Sequence, residues 1–296
     1  MAAPLEHGLR RPAIVRLTRN VERAWPAFES KGFTAGSMRG LARLELKPRV
    51  SHVAAQLATF LPRDYGKALA IVVRASETRD RGDEGDPLRG FAAWRLFDFI
   101  EHHGTGDFTR SMAALRSMTR LLSAEFVIRS FIAHYPERAF AVLRRWTKDD
   151  SEQVRRLASE GARPQLPWAT QVPALIDDPS PVLAVLDRLK DDPALYVRRS
   201  VANNLNDIAK DHPDRVLDVC ERGSTVHPKS VAGSFDMQLA PSSSRATPAC
   251  GRYWDSPSAQ GWQYPGSQCH RDACALATMF LVRAISPARR ASASVW

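Results

Sequence analysis

The sequence predicts an all-α fold, namely a HEAT-like α-solenoid (a curved stack of helix pairs) followed by an irregular C-terminal tail. No sustained alternation of apolar and polar residues, the pattern of a half-buried β-strand, occurs between positions 41 and 221. Apolar residues instead follow helical spacing in segments that resemble one another. Equivalent residues such as Pro136 and Pro179 are 43 positions apart, within the period of about 40–47 residues typical of HEAT-like repeats.

The first helix of each predicted repeat is apolar and is opened by a proline. Four segments share this pattern, the first of them weakly: 61–76, 134–150, 178–192 and 211–222. Proline suits the first helical turn because its missing N–H has no intrahelical partner there. Such helices bury their apolar faces by packing on neighbouring repeats, so the segments predict one continuous stack.

The second helix of the repeat carries an unusual mixture of charges. The segment "DDSEQVRRLASE" resembles "DDPALYVRRSVAN", so Arg156 corresponds to Arg199. Residues three or four positions apart share a helix face, which places Arg156, Glu160 and Arg163 on one stripe. This helix is expected to run until the prolines of "ARPQLPW", with Trp168 directly after its end.

Neighbouring segments extend this stripe. Arg199 and Asn203 take the corresponding face of the next repeat, and Asp207 lies one turn beyond them. Upstream, "SAEFVIRSF" contributes Glu125 and Arg129, again four positions apart. Equivalent second helices of a right-handed stack line its concave surface, so we expect one groove rich in Arg and Asn. Both side chains donate hydrogen bonds to a phosphate backbone.

Structural roles are an alternative for all of these residues. Arg–Glu pairs at this spacing often only support the helix, by about a few tenths of a kcal/mol. Asparagines that follow an arginine often tie adjacent repeats together. Trp168, which stands next to a proline, is also compatible with a cap on the core. The pattern alone leaves both interpretations open.

The bulk composition favours an anionic partner. The formal net charge is +10, and most of the basic excess is arginine, which suits bidentate phosphate contact. No segment reaches the roughly 20 apolar residues of a membrane span, and no apolar run follows the N-terminal arginines as in a signal peptide. We therefore expect a cytoplasmic protein with reduced thiols, and no membrane partner.

The composition changes abruptly after position 222. Glutamate does not occur after Glu221, Lys229 is the last lysine, and Ser, Pro, Gly and Cys become frequent. Such a segment lacks the periodicity of stacked helices. We therefore expect a repeat domain over 1–222 and a divergent tail over 223–296, disordered or derived from a frameshift.

Cysteine is concentrated in the last quarter of the chain. A zinc site is conceivable there, formed by Cys250, Cys269, His270 and Cys274. The spacing of these residues is loose and no second C-x-x-C pair accompanies them, so a chance cluster is the favoured interpretation. We expect no metal site.

Several motifs resemble the DNA alkylation-repair glycosylases of the AlkC/AlkD superfamily, specifically the AlkC branch. They are "EFVIRSF", "VRRLASEGARPQLPW", "DPSPVL", "LKDDPALYVRRSVANNLNDIAKDHPD" and, near the N-terminus, "LARLELKPRVSHVAAQLATFLPRDY". The resemblance covers positions from about 14 to 222. It implies HEAT-like repeats and removal of cationic alkylated bases, such as 3-methyladenine, from double-stranded DNA without metal or cofactor. Members of this family continue with a further basic helical repeat, which this chain does not recognisably contain.

The resemblance also implies site residues. The carboxylates and the aromatic residue of the lesion site match Glu125, Glu160, Asp207 and Trp168. The basic residues that face the DNA match Arg156, Arg163, Arg198 and Arg199, with Asn203 on the same groove. We expect the chain to act as a monomer.

This set of residues suits base excision. A cationic purine is already a good leaving group, so an enzyme need not protonate it, and an oxocarbenium-like sugar develops as in glycoside hydrolysis. A fixed carboxylate stabilises that cation and orients or deprotonates the attacking water, a role for which Glu160 is the first candidate. The alternative is a non-catalytic scaffold that binds DNA or protein.

Overall fold

The computed structural model describes residues 10–77, 88 and 90–224, and every regular element within these ranges is helical. The all-α prediction is therefore confirmed for the described residues. The helices are α1 (Arg11–Ala24), α2 (Ser30–Met38), α3 (Leu46–Phe60), α4 (Tyr65–Glu77), α5 (Trp94–His103), α6 (Phe108–Met118), α7 (Val127–His134), α8 (Pro136–Trp146), α9 (Glu152–Glu160), α10 (Pro173–Asp177), α11 (Ser180–Leu189), α12 (Leu195–Ile208) and α13 (Pro213–Ser224). Of the helices in the described ranges, none has the length and apolar character that crossing a bilayer requires.

The described residues form two compact units, one ending at Asp207 and one beginning at Ile208. In the first unit, α3 packs on α5 and α5 on α7, while α1 packs on α4 and α4 on α6. Further along the chain, α8 contacts α7, α9 and α11. In the second unit, the amides of Asp211 and His212 donate to the Ile208 carbonyl, and α13 begins at Pro213.

Each helix of the first unit buries one apolar face. Leu96 and Ile100 of α5, Phe131 of α7 and Leu143 of α8 are completely removed from solvent. Burying a side chain of this size contributes about 1.5–3 kcal/mol, so the core holds the stack together.

The repeat is confirmed by equivalent hydrogen bonds. Arg155 Nη1 donates to the carbonyls of Asp149 and Asp150 at 2.8 and 3.0 Å, which closes the turn before α9. Arg198 Nη1 donates to the carbonyls of Asp192 and Pro193 at 2.6 and 2.9 Å, before α12. The acceptors lie six and five residues before the arginine in both cases, so the sequence similarity reflects one repeated structure.

Proline lies in the first turn of three of the four predicted first helices, and the fourth begins differently. Proline occupies the first turn of α8 and α11, and Pro213 is the first residue of α13. In the weak copy, α4 begins at Tyr65, and the Asp64 carboxylate accepts the amide of Lys67 at 2.8 Å. The proline prediction is wrong there because an acidic N-cap satisfies the amides of the first turn instead.

Helix α9 ends earlier than predicted. Its last residue is Glu160 rather than one next to Pro164. At Gly161, directly after it, a Cβ would lie 2.4 Å from Ile128 Cγ2 of α7. The missing side chain lets the chain leave α9 in close contact with α7.

Of the tail predicted over 223–296, the structure describes Gly223 and Ser224, which complete α13. The proposed zinc ligands Cys250, Cys269, His270 and Cys274 lie outside the described residues.

An ion pair joins α9 to the turn before α12, and its loss should destabilise the fold. Arg155 Nε and Nη2 donate to the Asp192 carboxylate at 2.6 and 3.1 Å, and the Ala194 amide donates to it at 2.9 Å. We expect Asp192→Ala to lower the free energy of unfolding by about 2 kcal/mol, because the donors lose a charged partner. Urea denaturation measures this change.

The adjacent Asp191 supplies the control. Its side chain is exposed and pairs with Lys190, so Asp191→Ala should change the free energy of unfolding by less than about 0.5 kcal/mol. Equal losses in the two variants would contradict a specific role for the Arg155–Asp192 pair.

Candidate active site

Three of the predicted carboxylates and two of the predicted arginines meet in one ion-pair cluster, termed the acid cluster. It consists of Glu125, Arg156, Glu160, Arg163 and Asp207. Arg163 Nη1 donates to Glu160 Oε1 at 2.8 Å, and its Nε donates to Asp207 Oδ2 at 2.7 Å. Arg156 Nη1 donates to Glu125 Oε2 at 2.8 Å, and its Nη2 lies 3.5 Å from Glu160 Oε2. The cluster therefore connects the start of α7 with α9 and α12.

Glu160 is the centre of the cluster and is nearly closed off from solvent. Its residue is 4% exposed, and Ser200 of α12 donates a further hydrogen bond to Oε2 at 2.7 Å. Asp207 is 3% exposed. Both Glu160 oxygens thus accept at least one hydrogen bond, so this carboxylate is held in one orientation.

The two arginines of the cluster remain charged because the carboxylates outweigh their burial. Burial by itself lowers the pKa of Arg156, but the charges of Glu160 and Glu125 raise it above its usual value. Burial also lowers the pKa of Arg163, while its hydrogen bond to Asp207 and the charge of Glu160 produce a net rise. The cluster thus alternates three carboxylates with two guanidinium groups.

Glu125 is the most accessible of the three carboxylates. Its side chain is 17% exposed, against 6% for Glu160 and 4% for Asp207. Ser123 donates to Glu125 Oε2 at 2.7 Å, and Arg156 Nη1 also contacts the Ser123 hydroxyl at 3.0 Å. Of the three carboxylates, Glu125 is therefore the one best placed to meet a molecule from solvent.

An exposed surface of α12 adjoins the cluster. The Arg156 guanidinium lies 4.7 Å from the ring centre of Tyr196, a residue that is 44% exposed. Arg199 and Asn203, one and two turns further along α12, are also exposed. This surface presents an aromatic ring, a cation and an amide beside the acid cluster.

Arg198 points elsewhere. It closes the turn before α12 through the carbonyls of Asp192 and Pro193, as Arg155 does before α9. Its predicted contact with DNA stays a prediction, and its observed contacts are structural.

Trp168 lies in a turn after α9 and is 71% exposed. The alternative in which it caps the core is therefore wrong. Its ring is available to a partner, as the lesion-site prediction requires.

Arg129 is buried instead of lining a groove, which corrects the expectation that it shares a surface with Glu125. It is 2% exposed, and its guanidinium donates to backbone carbonyls of the segment after α9. Burial and the nearby charge of Arg163 lower the pKa of Arg129 to about 10.

Sequence reasoning missed Ser123, Ser200 and Tyr196. Nothing in the helical pattern distinguishes the two serines, which take part because they reach a carboxylate from a neighbouring helix or turn. The aromatic residue one turn before Arg199 is a detectable signal. The asparagine that ties repeats together is Asn204, whose Nδ2 donates to the Ser159 carbonyl at 2.7 Å.

Within the described ranges, His, Cys, Asp and Glu side chains form no group of three or more that could hold a metal ion. The chemistry that the acid cluster itself supports is electrostatic stabilisation of a cation and acceptance of hydrogen bonds.

Three comparisons relate the chain to known proteins. Residues 121–232 match the family model of the DNA alkylation repair enzymes. The uncharacterized protein YhaZ of Bacillus subtilis (strain 168) is 38% identical over 216 residues, which cover 73% of this chain and 58% of YhaZ. The Pseudomonas fluorescens alkylpurine DNA glycosylase AlkC, solved bound to DNA containing an abasic site analog, matches with a TM-score of 0.67 and 39% identity.

The structural match covers 74% of this chain and 59% of the AlkC chain. The chain thus spans just under three fifths of the length of both relatives. The resemblance to AlkC-type proteins and the HEAT-like α-helical fold are thereby confirmed.

Arg163 bridges the two buried carboxylates, so its removal should destabilise the folded protein. We expect Arg163→Met to lower the free energy of unfolding at pH 7 by about 3 kcal/mol, because Glu160 and Asp207 lose their shared cation. Urea denaturation of the variant and of the unmodified protein measures this loss.

Arg199→Met is the matched control, since Arg199 is exposed and makes no ion pair with any residue of the described ranges. Its expected effect is within about 0.5 kcal/mol. A loss of similar size in Arg199→Met would argue against the buried ion pairs as the origin of the effect.

Proposed function

We propose that this chain, whose residues 121–232 match the DNA alkylation repair enzymes, is a DNA glycosylase that excises cationic alkylated bases of the 3-methyladenine type from duplex DNA. The observation that carries the proposal is the acid cluster, in which Glu125, Glu160 and Asp207 are brought together beside an exposed surface with Arg199 and Tyr196. Its similarity to AlkC, an alkylpurine DNA glycosylase, supports the substrate class.

The charge of the acid cluster suits this reaction. An alkylated purine with a positive charge leaves without protonation, so no general acid is needed at the base. The sugar acquires positive charge in the transition state. A fixed carboxylate stabilises that cation without having to reorganise during the reaction.

The three carboxylates take different roles in this proposal. Both oxygens of Glu160 accept hydrogen bonds, so it acts chiefly as the fixed charge that stabilises the sugar. Glu125, which is more accessible, orients or deprotonates the attacking water. Asp207 acts through Arg163, which it holds against Glu160.

Contact with DNA falls to the exposed residues. Arg199 and Asn203 donate to the phosphate backbone, and Trp168 places its ring against the cationic base or sugar, where a cation–π contact contributes about 0.5–2 kcal/mol. Arg156 and Arg163 are held in ion pairs within the acid cluster. In this proposal their main role is to balance the charge of the carboxylates, and contact with phosphates is secondary.

A non-catalytic scaffold that binds DNA or protein is the second candidate. It is favoured by the hydrogen bonding of Glu160, whose oxygens are occupied by Arg163, Arg156 and Ser200 as in a purely structural ion-pair network. A measurement of free-base release distinguishes the two functions, because only the glycosylase releases base.

Neutralising Glu160 should abolish catalysis and spare binding. We expect Glu160→Gln to slow release of 3-methyladenine from methylated duplex DNA by at least about 100-fold, because the glutamine keeps the shape and loses the charge. Its affinity for a duplex with an abasic-site analogue should stay within about threefold. Single-turnover base release and fluorescence anisotropy measure the two quantities.

Glu152→Gln, at an exposed position of the same helix, is the control and should release base at the unmodified rate. The absence of base release from the unmodified protein would exclude the glycosylase and leave the scaffold.

Loss of an exposed arginine should weaken DNA binding irrespective of sequence or damage. We expect Arg199→Ala to lower affinity for all duplexes and to reduce the slope of log K against log salt concentration by about 1, since one phosphate contact disappears. A titration over several salt concentrations measures the slope.

Arg188→Ala removes the same charge from an exposed position on α11 and should leave the slope unchanged. An unchanged slope for Arg199→Ala would refute its contact with the backbone.

A further inference from the structure

Trp168 occupies a backbone conformation that disfavours tryptophan. The Ala169 amide donates to the Leu166 carbonyl at 3.3 Å, Pro167 is the second residue of the turn, and Trp168 follows with φ +64°. This arrangement has the features of a type II turn, whose third position requires a positive φ and favours glycine. A bulky residue there is strained, and such strain persists only where the surroundings impose it.

The first of these surroundings is Arg129, which lies beneath the turn. Its Nε donates to the Thr170 carbonyl at 2.7 Å, Nη1 to that of Gly161 at 3.2 Å, and Nη2 to that of Pro164 at 3.3 Å. These acceptors flank the turn on both sides in the sequence. One rigid guanidinium therefore fixes both ends of the segment that presents Trp168.

The second is Lys47 of α3, 121 residues earlier in the chain. Its Nζ donates a hydrogen bond to the carbonyl oxygen of Trp168 itself. The position of that oxygen defines ψ of Trp168 and the plane of the next peptide. Lys47 therefore holds the residue that Arg129 does not contact directly.

We propose that Lys47 is a positioning residue, which acts through the Trp168 backbone to direct the exposed ring toward the DNA. Arg129 holds the two ends of the segment, and Lys47 of α3 holds the Trp168 carbonyl between those ends. This positioning role deepens the proposed function and rests on it where base release is measured. Hydrogen exchange tests the same role without it.

The test removes the Lys47 ammonium in the presence and in the absence of the Trp168 ring. Lys47→Met keeps the aliphatic stem and the exposed position, so it should fold, whereas a change at the buried Arg129 risks unfolding. We expect Lys47→Met to reduce single-turnover base release about 5- to 10-fold, in line with the loss of one charged hydrogen bond. In a Trp168→Ala background the same change should have no further effect.

Two more variants separate position from charge. Lys47→Arg can still donate to the carbonyl and should retain most of the activity. Lys67→Met removes an exposed lysine from the first turn of α4 and should have no effect. Equal losses from Lys47→Met with and without the Trp168 ring would overturn the proposal and indicate a general electrostatic effect.

Hydrogen exchange supplies the readout that does not depend on activity. The Ala169 amide, which closes the turn, should exchange about 5- to 10-fold faster in Lys47→Met than in the unmodified protein, and Lys67→Met should leave it unchanged. If exchange changes as expected while the unmodified protein releases no base, the glycosylase fails and the positioning role stands. Unchanged exchange in Lys47→Met overturns the positioning role.

Discussion

A carboxylate that is taken out of water is stable in a protein only next to a cation or several strong donors, and Glu160 and Asp207 share one such cation in Arg163. This requirement ties the end of α9 to α12, because moving either helix away leaves a buried charge unpaired. Ser200 and Asn204 reinforce the same junction through Glu160 and the Ser159 carbonyl. The candidate site thus coincides with the contact between two repeats.

Arginine has two separate uses in this chain, although the composition counts them together. Arg129, Arg155 and Arg198 donate to backbone carbonyls and close or anchor segments between helices. Arg199 points outward beside the acid cluster. Fewer cations are therefore available to a nucleic acid than the net charge of +10 suggests, since several arginines are bound to backbone carbonyls.

The candidate site combines features that local rules of folding disfavour. Charged side chains are buried around Glu160, Trp168 exposes its ring from a left-handed backbone, and Tyr196 is exposed next to Arg156. Local rules of folding are commonly violated at functional sites, where the rest of the structure compensates. Here the compensation comes from the repeat core and from Arg129 and Lys47.

The helical class, the repeat and the pairing of close neighbours follow from patterns within the amino-acid sequence. Helical periodicity places residues three or four positions apart on one face, which is why the proximity of Glu160 to Arg156 on α9 was predictable. Arg163 also contacts Glu160, but it does so from the segment after α9. The equivalence of Arg155 and Arg198 followed from the spacing of 43 in the same way. These relations depend on the backbone geometry of a short segment, which the residues of that segment determine.

Contacts between side chains that are far apart in the sequence could not be predicted from local patterns. The pairs Arg163–Asp207 and Lys47–Trp168 join residues 44 and 121 positions apart, and their partners depend on how the helices pack. The same packing turned Arg129 inward and ended α9 at Glu160, where Gly161 passes close to Ile128. Periodicity defines the face on which a side chain lies, whereas the neighbour across that face is defined by contacts between elements that the local pattern does not specify.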